Sequence, residues 1–184
     1  MRRGSFSAKE IALVSIFACL SSLSTLTTAI IPAPLPGLYA VISIPVGTIL
    51  ILVLRTIMDK KGIATFTQFI SGLISTILPG GPPVKWLIVL VWVIGGVVID
   101  AFFQIAGHMR NSRLFYGVVG LTYIIPGDVL LYWAFSVFLN WTWPLLFFLY
   151  GFVAIHAILG GLAGLIVPDI LKRVKLGIMQ ANNE

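Results

Sequence analysis

Residues 86–107 read WLIVLVWVIGGVVIDAFFQIAG, twenty-two residues with one ionisable side chain, Asp100. A bilayer crossing takes ~20 predominantly apolar residues in a helix, so this stretch has the length and chemistry of a transmembrane span. Working outward from it, five more apolar runs are separated by short breaks. Together the expected spans are 9–31, 39–57, 63–79, 86–107, 114–139 and 144–167. The breaks carry turn residues: Pro32-Ala33-Pro34-Leu35-Pro36-Gly37, Gly80-Gly81-Pro82-Pro83, and Asn140-Trp141-Thr142-Trp143. The two Pro- and Gly-rich breaks either cap a cavity or serve as tight turns. The expected fold is an all-α integral membrane protein of six transmembrane helices, a single membrane domain over 1–184 with a cytoplasmic tail at 168–184.

Composition agrees. Of 184 residues, 59% are hydrophobic and 10% charged, where a soluble domain is roughly 45–50% apolar and about 25% charged. The net charge of +6 would suggest nucleic acid in a soluble protein. Alternating spans give it another origin. Arg2, Arg3, Lys9, Arg55, Lys60, Lys61, Arg110, Arg113, Lys172, Arg173 and Lys175 all fall on one side, and only Lys85 on the other. By the positive-inside rule both termini are then cytoplasmic, in a multi-pass protein of the cell membrane, and no nucleic-acid partner is expected. Trp86, Trp141 and Trp143 fall at the outer boundary, where indole rings prefer to lie.

Four strongly polar side chains interrupt the apolar runs: Gln68, Asp100, Asp128 and His156. An Asp at a helix centre costs roughly 2.5–3.5 kcal/mol on insertion scales, so each needs a reason. At 1.5 Å rise per residue, Gln68 and Asp128 lie ~16 Å below the outer ends of their spans, His156 ~18 Å and Asp100 ~21 Å. Four helices supplying polar groups near one depth suggest a lined cavity. Pro126-Gly127 precedes Asp128. That proline removes a backbone donor and clashes with the carbonyl of Thr122, which frees polar backbone beside the carboxylate. The bland alternatives are that Asp128 ties helices through His156 or Gln68, and that Asp100 pairs with Gln104. Tyr132, with Tyr39, Trp92, Tyr123 and Trp133, is a candidate to stack on a planar ring.

Along the first span, Ala8, Ala12, Ser15, Cys19 and Ser22 alternate spacings of four and three, making one narrow stripe. Small-residue seams let helices approach closely in lipid, so the stripe is a candidate docking face for a partner. It could equally pack inside the chain, and Gly160-Gly161-Leu162-Ala163-Gly164 is a rival seam. Cys19 is the single cysteine, which permits no disulfide or zinc cluster. The chain has no phosphate-binding loop, no His-Glu-x-x-His and no Gly-x-Ser-x-Gly. No enzymatic activity, metal or cofactor is therefore expected, and any ATP-driven pumping needs another subunit.

Six spans with both ends inside, the Ala8, Ala12, Ser15 stripe and a Pro-rich first outer loop resemble the substrate-binding S components of energy-coupling factor transporters. Over Gly62 to Ala101 the closest likeness is to the hydroxymethylpyrimidine/thiamine subgroup. It rests on a Gly after a basic turn, a small-residue third helix, a Gly/Pro outer turn and Asp100-Ala101. Members carry acidic residues in the third helix where this chain has Gln68 and Ser75. The nickel/cobalt branch has His after the initiator Met, and this chain has Arg2. The resemblance implies a binding protein that captures a vitamin or its precursor outside. The first and third outer connections would close over the ligand. The protein would then reorient against a T component that two ATPase subunits drive. The runner-up expectation is a stand-alone proton-coupled transporter or channel using Asp128, Asp100 and His156.

Overall fold

A computed structural model describes residues 6–30, 36–79, 84–141 and 143–181, without the side chains of 36, 37, 108, 111 and 175–181. The described residues are helical, with no strand. In chain order the helices are α1 (Ala8–Ser24), α2 (Thr27–Ile30), α3 (Ser43–Met58), α4 (Ile63–Ile77), α5 (Lys85–Ile105), α6 (Arg113–Thr122), α7 (Ile125–Phe138), α8 (Leu145–Phe148) and α9 (Ala154–Ala181). Short 3-10 turns lie at Pro36–Ala40 and Gly107–Asn111, and a π turn at Leu149–Val153 joins α8 to α9. Among the described residues four segments are long and apolar enough to cross a membrane: Ala8–Ile30, Lys85–Ile105, Arg113–Phe138 and Leu145–Val174. Helices α3 and α4 are apolar but shorter, 16 and 15 residues. Most of the Pro-rich first break and all of Gly80-Gly81-Pro82-Pro83 lie outside the described residues.

Local chemistry sets the boundaries. A capping box starts α1: Ser7 accepts from the Glu10 amide while the Glu10 carboxylate accepts from the Ser7 amide. Hydroxyls break its far end. Ser24, Thr25, Thr27 and Thr28 each donate to the carbonyl three residues back, at 2.6–2.7 Å, and such bonds compete with the helical ladder. Asp59 ends α3 in the left-handed region, and Gly62, at φ 80°, reverses the chain into α4 where a side chain would be strained. The fifth span breaks at Tyr123–Ile124, where Pro126 forbids a continuous ladder, and restarts as α7. Pro168, by contrast, is carried within α9, which continues to Ala181. Helix therefore extends well past the expected boundary at 167, into the region read as a tail.

Ion pairs show which ends meet. Glu10 pairs with Lys60, Arg110 with Asp59, and Arg113 with Asp169. The start of α1, the α3–α4 turn, the 107–111 turn and the later half of α9 thus share one end of the bundle, here the inner end. Two close seams hold the helices together. Gly72 and Gly96 bring α4 against α5, and Gly117, Gly120, Gly160 and Gly164 bring α6 against α9. The Gly160–Gly164 seam is therefore internal. The α1 stripe divides: Ala8, Ala12 and Cys19 are exposed and Ser15 half-buried. Ser22 is buried and donates to the Ser71 carbonyl of α4.

The inner half of the bundle holds the larger apolar cluster. Ile51, Leu52, Ile99, Phe103, Phe115, Tyr116, Val119 and Val167 form its core. Toward the outer end a second cluster packs Leu131, Phe135, Phe148, Phe152 and Val153. Between the two lies a cavity.

Candidate functional site

The cavity is walled by α1 to α5, the Pro36–Ala40 turn, the Tyr123–Ile124 break, α7 and α9. Its volume is about 150 Å³. Three of the expected polar residues meet there: Gln68 from α4, Asp128 from α7 and His156 from α9. Gln68 is in the regular body of α4, while the other two follow local irregularities. Asp128 is in the first turn of α7, directly after the proline-induced break. His156 is in the first turn of α9, directly after the π turn, a deformation often found at functional sites.

Asp128 and His156 are both buried, at 4% and 3% exposure. His156 Nδ1 donates to the Asp128 carboxylate, 3.0 Å from one oxygen and 3.2 Å from the other. That bond fixes the ring and leaves Nε2 as its second polar atom, buried and without a hydrogen-bond partner among the described residues. Phe152 packs on the imidazole with ring centroids 4.2 Å apart, and Tyr39 meets its edge at 6.1 Å. Gln68 is buried at 6% exposure and makes no hydrogen bond to the described residues. Its amide lines the cavity and is available to an occupant, so the cavity holds binding capacity that the chain itself does not use.

The rest of the wall mixes aliphatic side chains, Ile44, Ile88, Val91, Ile124 and Leu131, with aromatic and hydroxylated ones. Tyr123 and Thr48 join their hydroxyls at 2.8 Å, and Gly95 leaves room for the Tyr123 ring. Thr25 donates to the Ser22 carbonyl, so its oxygen is left only to accept. Trp92, Ser21 and Ser43 complete the polar lining. Among the lining residues the one carboxylate is Asp128, and there is no Lys or Arg. The site therefore suits an occupant that donates hydrogen bonds or carries positive charge.

Two expected residues lie elsewhere. Asp100 does not line the cavity. It sits in the inner half, where one oxygen accepts from Arg55 Nε at 2.7 Å. The other accepts from the Thr65 amide and hydroxyl at 2.9 and 2.8 Å. Its extra ~5 Å of depth is the physical reason, because one helical turn moves a side chain into the next packing layer. Gln104, its expected partner, is exposed. Tyr132 is one turn beyond Asp128, packs on Phe148 at 4.8 Å, and donates to the Trp143 carbonyl. It supports the outer wall from behind.

Arg55, placed by charge alternation on the same side as Lys60 and Arg110, does lie at their end of the bundle, but buried at 1% exposure in the last turn of α3. Comparison with family models, curated proteins and solved structures finds no match to this chain.

Proposed function

We propose that this chain is the substrate-specific binding subunit of an energy-coupling-factor-type vitamin importer. It captures a small cationic or aminopyrimidine-like ligand, in the class of thiamine and hydroxymethylpyrimidine. The observation that carries the reading is the cavity, where a buried carboxylate–imidazole pair, an unpaired Gln68 amide and an unpartnered His156 Nε2 converge. Its volume favours one ring: a cavity near 150 Å³ accepts a molecule of benzene size, whereas drug-sized ligands take roughly 300–1,000 Å³. On this reading the chain makes six crossings of the cell membrane with both ends in the cytoplasm. At 1.5 Å per residue α3 and α4 span ~24 and ~22 Å, short of a ~30 Å hydrocarbon core, so the turns beside them complete those crossings. The exposed Ala8, Ala12 and Cys19 face of α1 would meet a T component, and two ATPase subunits would supply the energy.

Thermal-shift and native mass-spectrometry screening of the detergent-solubilised protein against thiamine, hydroxymethylpyrimidine, riboflavin, biotin, folate and pantothenate tests it. A pyrimidine-class ligand is expected to stabilise the protein at nanomolar to micromolar concentration. Asp128→Asn is expected to weaken that binding about 10–100-fold, the worth of one charge-assisted hydrogen bond. No stabilisation by any compound overturns the proposal. The Asp128–His156 pair also favours a second reading, a proton-coupled transporter, since intramembrane Asp and His form relays. That reading requires proton-driven flux in liposomes holding this chain alone, abolished in Asp128→Asn.

A steric variant checks the cavity independently. A Cβ on Gly47 would meet Ser21 Oγ at 3.4 Å, an ordinary contact, while placing a methyl in the cavity wall. Gly47→Ala is expected to raise stability by about 0.5–1 kcal/mol, as for glycine in a helix interior, and to lower ligand affinity. General damage to the fold cannot produce these opposite signs.

A further inference from the structure

The charged network beneath the cavity has no part in ligand contact, yet it contains two buried charges, Arg55 and Asp100. Asp100 of α5 holds Arg55 of α3 and caps the first turn of α4 through Thr65. Arg55 reaches on to Asp59 at 3.3 Å, and Asp59 pairs with Arg110 at 2.8 Å. Arg110 returns to α5 by donating to the Phe103 carbonyl. Both guanidinium groups lie over the Phe103 ring, at 4.8 and 5.8 Å from its centroid. Phe103 packs edge-on against Phe115 and Tyr116 of α6. Helices α3, α4, α5 and α6 and the 107–111 turn are thus fastened in one layer, between the cavity and the inner end.

We propose that the Arg55–Asp100 pair, with Asp59 and Arg110, is the inner closure of the cavity: the element that makes it reachable from the outer end alone. Three features support this. The cavity-lining residues of α3 and α5, Ser43 to Gly47 and Ile88 to Gly95, lie in the outer-end halves of their helices, while Arg55 and Asp100 follow in the inner halves. The network bridges α3, α4 and α5, three helices that wall the cavity. And it grades from buried to exposed, with Asp59 at 64% and Arg110 at 30% side-chain exposure, so it can be dismantled from the inner side. Buried charges of this kind are expensive in a membrane and are held by mutual pairing, which makes the closure depend on both members. The inference rests on the cavity being open outward, but not on what ligand it takes.

The test places a cysteine in the cavity, Gly47→Cys in a Cys19→Ser chain, reconstituted in vesicles of known orientation. A membrane-impermeant maleimide is applied from each side in turn. With the network intact, labelling is expected from the outer-end side only. With Arg55→Gln or Asp100→Asn, labelling from the inner side is expected to rise at least tenfold. Arg55→Leu with Asp100→Leu, which leaves no orphan charge, is expected to stay folded by melting and still to label from the inner side, which a chain that merely misfolds cannot do. One-sided labelling in both single variants, with melting showing them folded, overturns the closure. Labelling of the intact chain from the inner side overturns instead the outward-open cavity on which it rests.

Discussion

Gly164→Ala is expected to disrupt the bundle, with a loss of stability of about 3 kcal/mol or more. A Cβ built on Gly164 falls on the carbonyl oxygen of Tyr116 and lies 2.8 Å from its carbonyl carbon. Both are backbone atoms, so no rotamer change relieves the clash, and α6 must move off α9. Overpacking usually costs 1–3 kcal/mol when side chains can yield. Here they cannot, and the displaced pair also loses the close van der Waals contact that holds helices together in lipid. The same clash recurs where Gly120 and Gly160 each approach the other's carbonyl oxygen. Gly161→Ala is the control. Its Cβ would meet Leu121 Cβ at 3.3 Å and the Gly117 carbonyl at 3.6 Å, which a shift of a few tenths of an ångström relieves. Unfolding in detergent by SDS or heat should separate the two variants clearly. Equal stability of Gly164→Ala and Gly161→Ala would refute the seam.

The helical segments were legible because apolar runs and turn residues alternate at the length of a bilayer crossing. The break in the fifth span was legible for a sharper reason. Pro126 cannot donate and collides with Thr122, and α6 ends at Thr122. The break in the sixth span was not legible, because the π turn over Leu149–Val153 leaves no mark in hydrophobicity. Depth counting brought Gln68, Asp128 and His156 together but misplaced Asp100. A difference of ~5 Å between span ends uncertain by several residues is the difference between cavity and core. Charge alternation gave Arg55 a side but not a depth, because it sees only order along the chain. Its burial depends on Asp100 arriving from another helix, and no pattern within α3 encodes that. The two small-residue seams were indistinguishable in sequence. Contact with α6 assigns the glycine seam to the interior and leaves most of the α1 stripe facing outward.

Arg55→Leu is expected to destabilise the protein by about 3–5 kcal/mol, more than the loss of one hydrogen bond, because the cost falls on the residue left behind. Asp100 is 4% exposed, and without the guanidinium its charge keeps only the two hydrogen bonds from Thr65. A buried charge without its partner keeps a desolvation cost that nothing offsets. Removing both charges removes that cost. Arg55→Leu with Asp100→Leu leaves no orphan charge, and replacing a buried ion pair with apolar side chains is often neutral or stabilising. The Thr65 amide then loses its acceptor at the start of α4, worth about 1 kcal/mol as for other lost caps. The double variant should therefore lie above Arg55→Leu in stability and about 1 kcal/mol below the native chain, a strongly non-additive cycle. Additive losses would mean that Arg55 and Asp100 act separately, and the pairing at 2.7 Å would then carry none of the coupling that fastens α3 to α5.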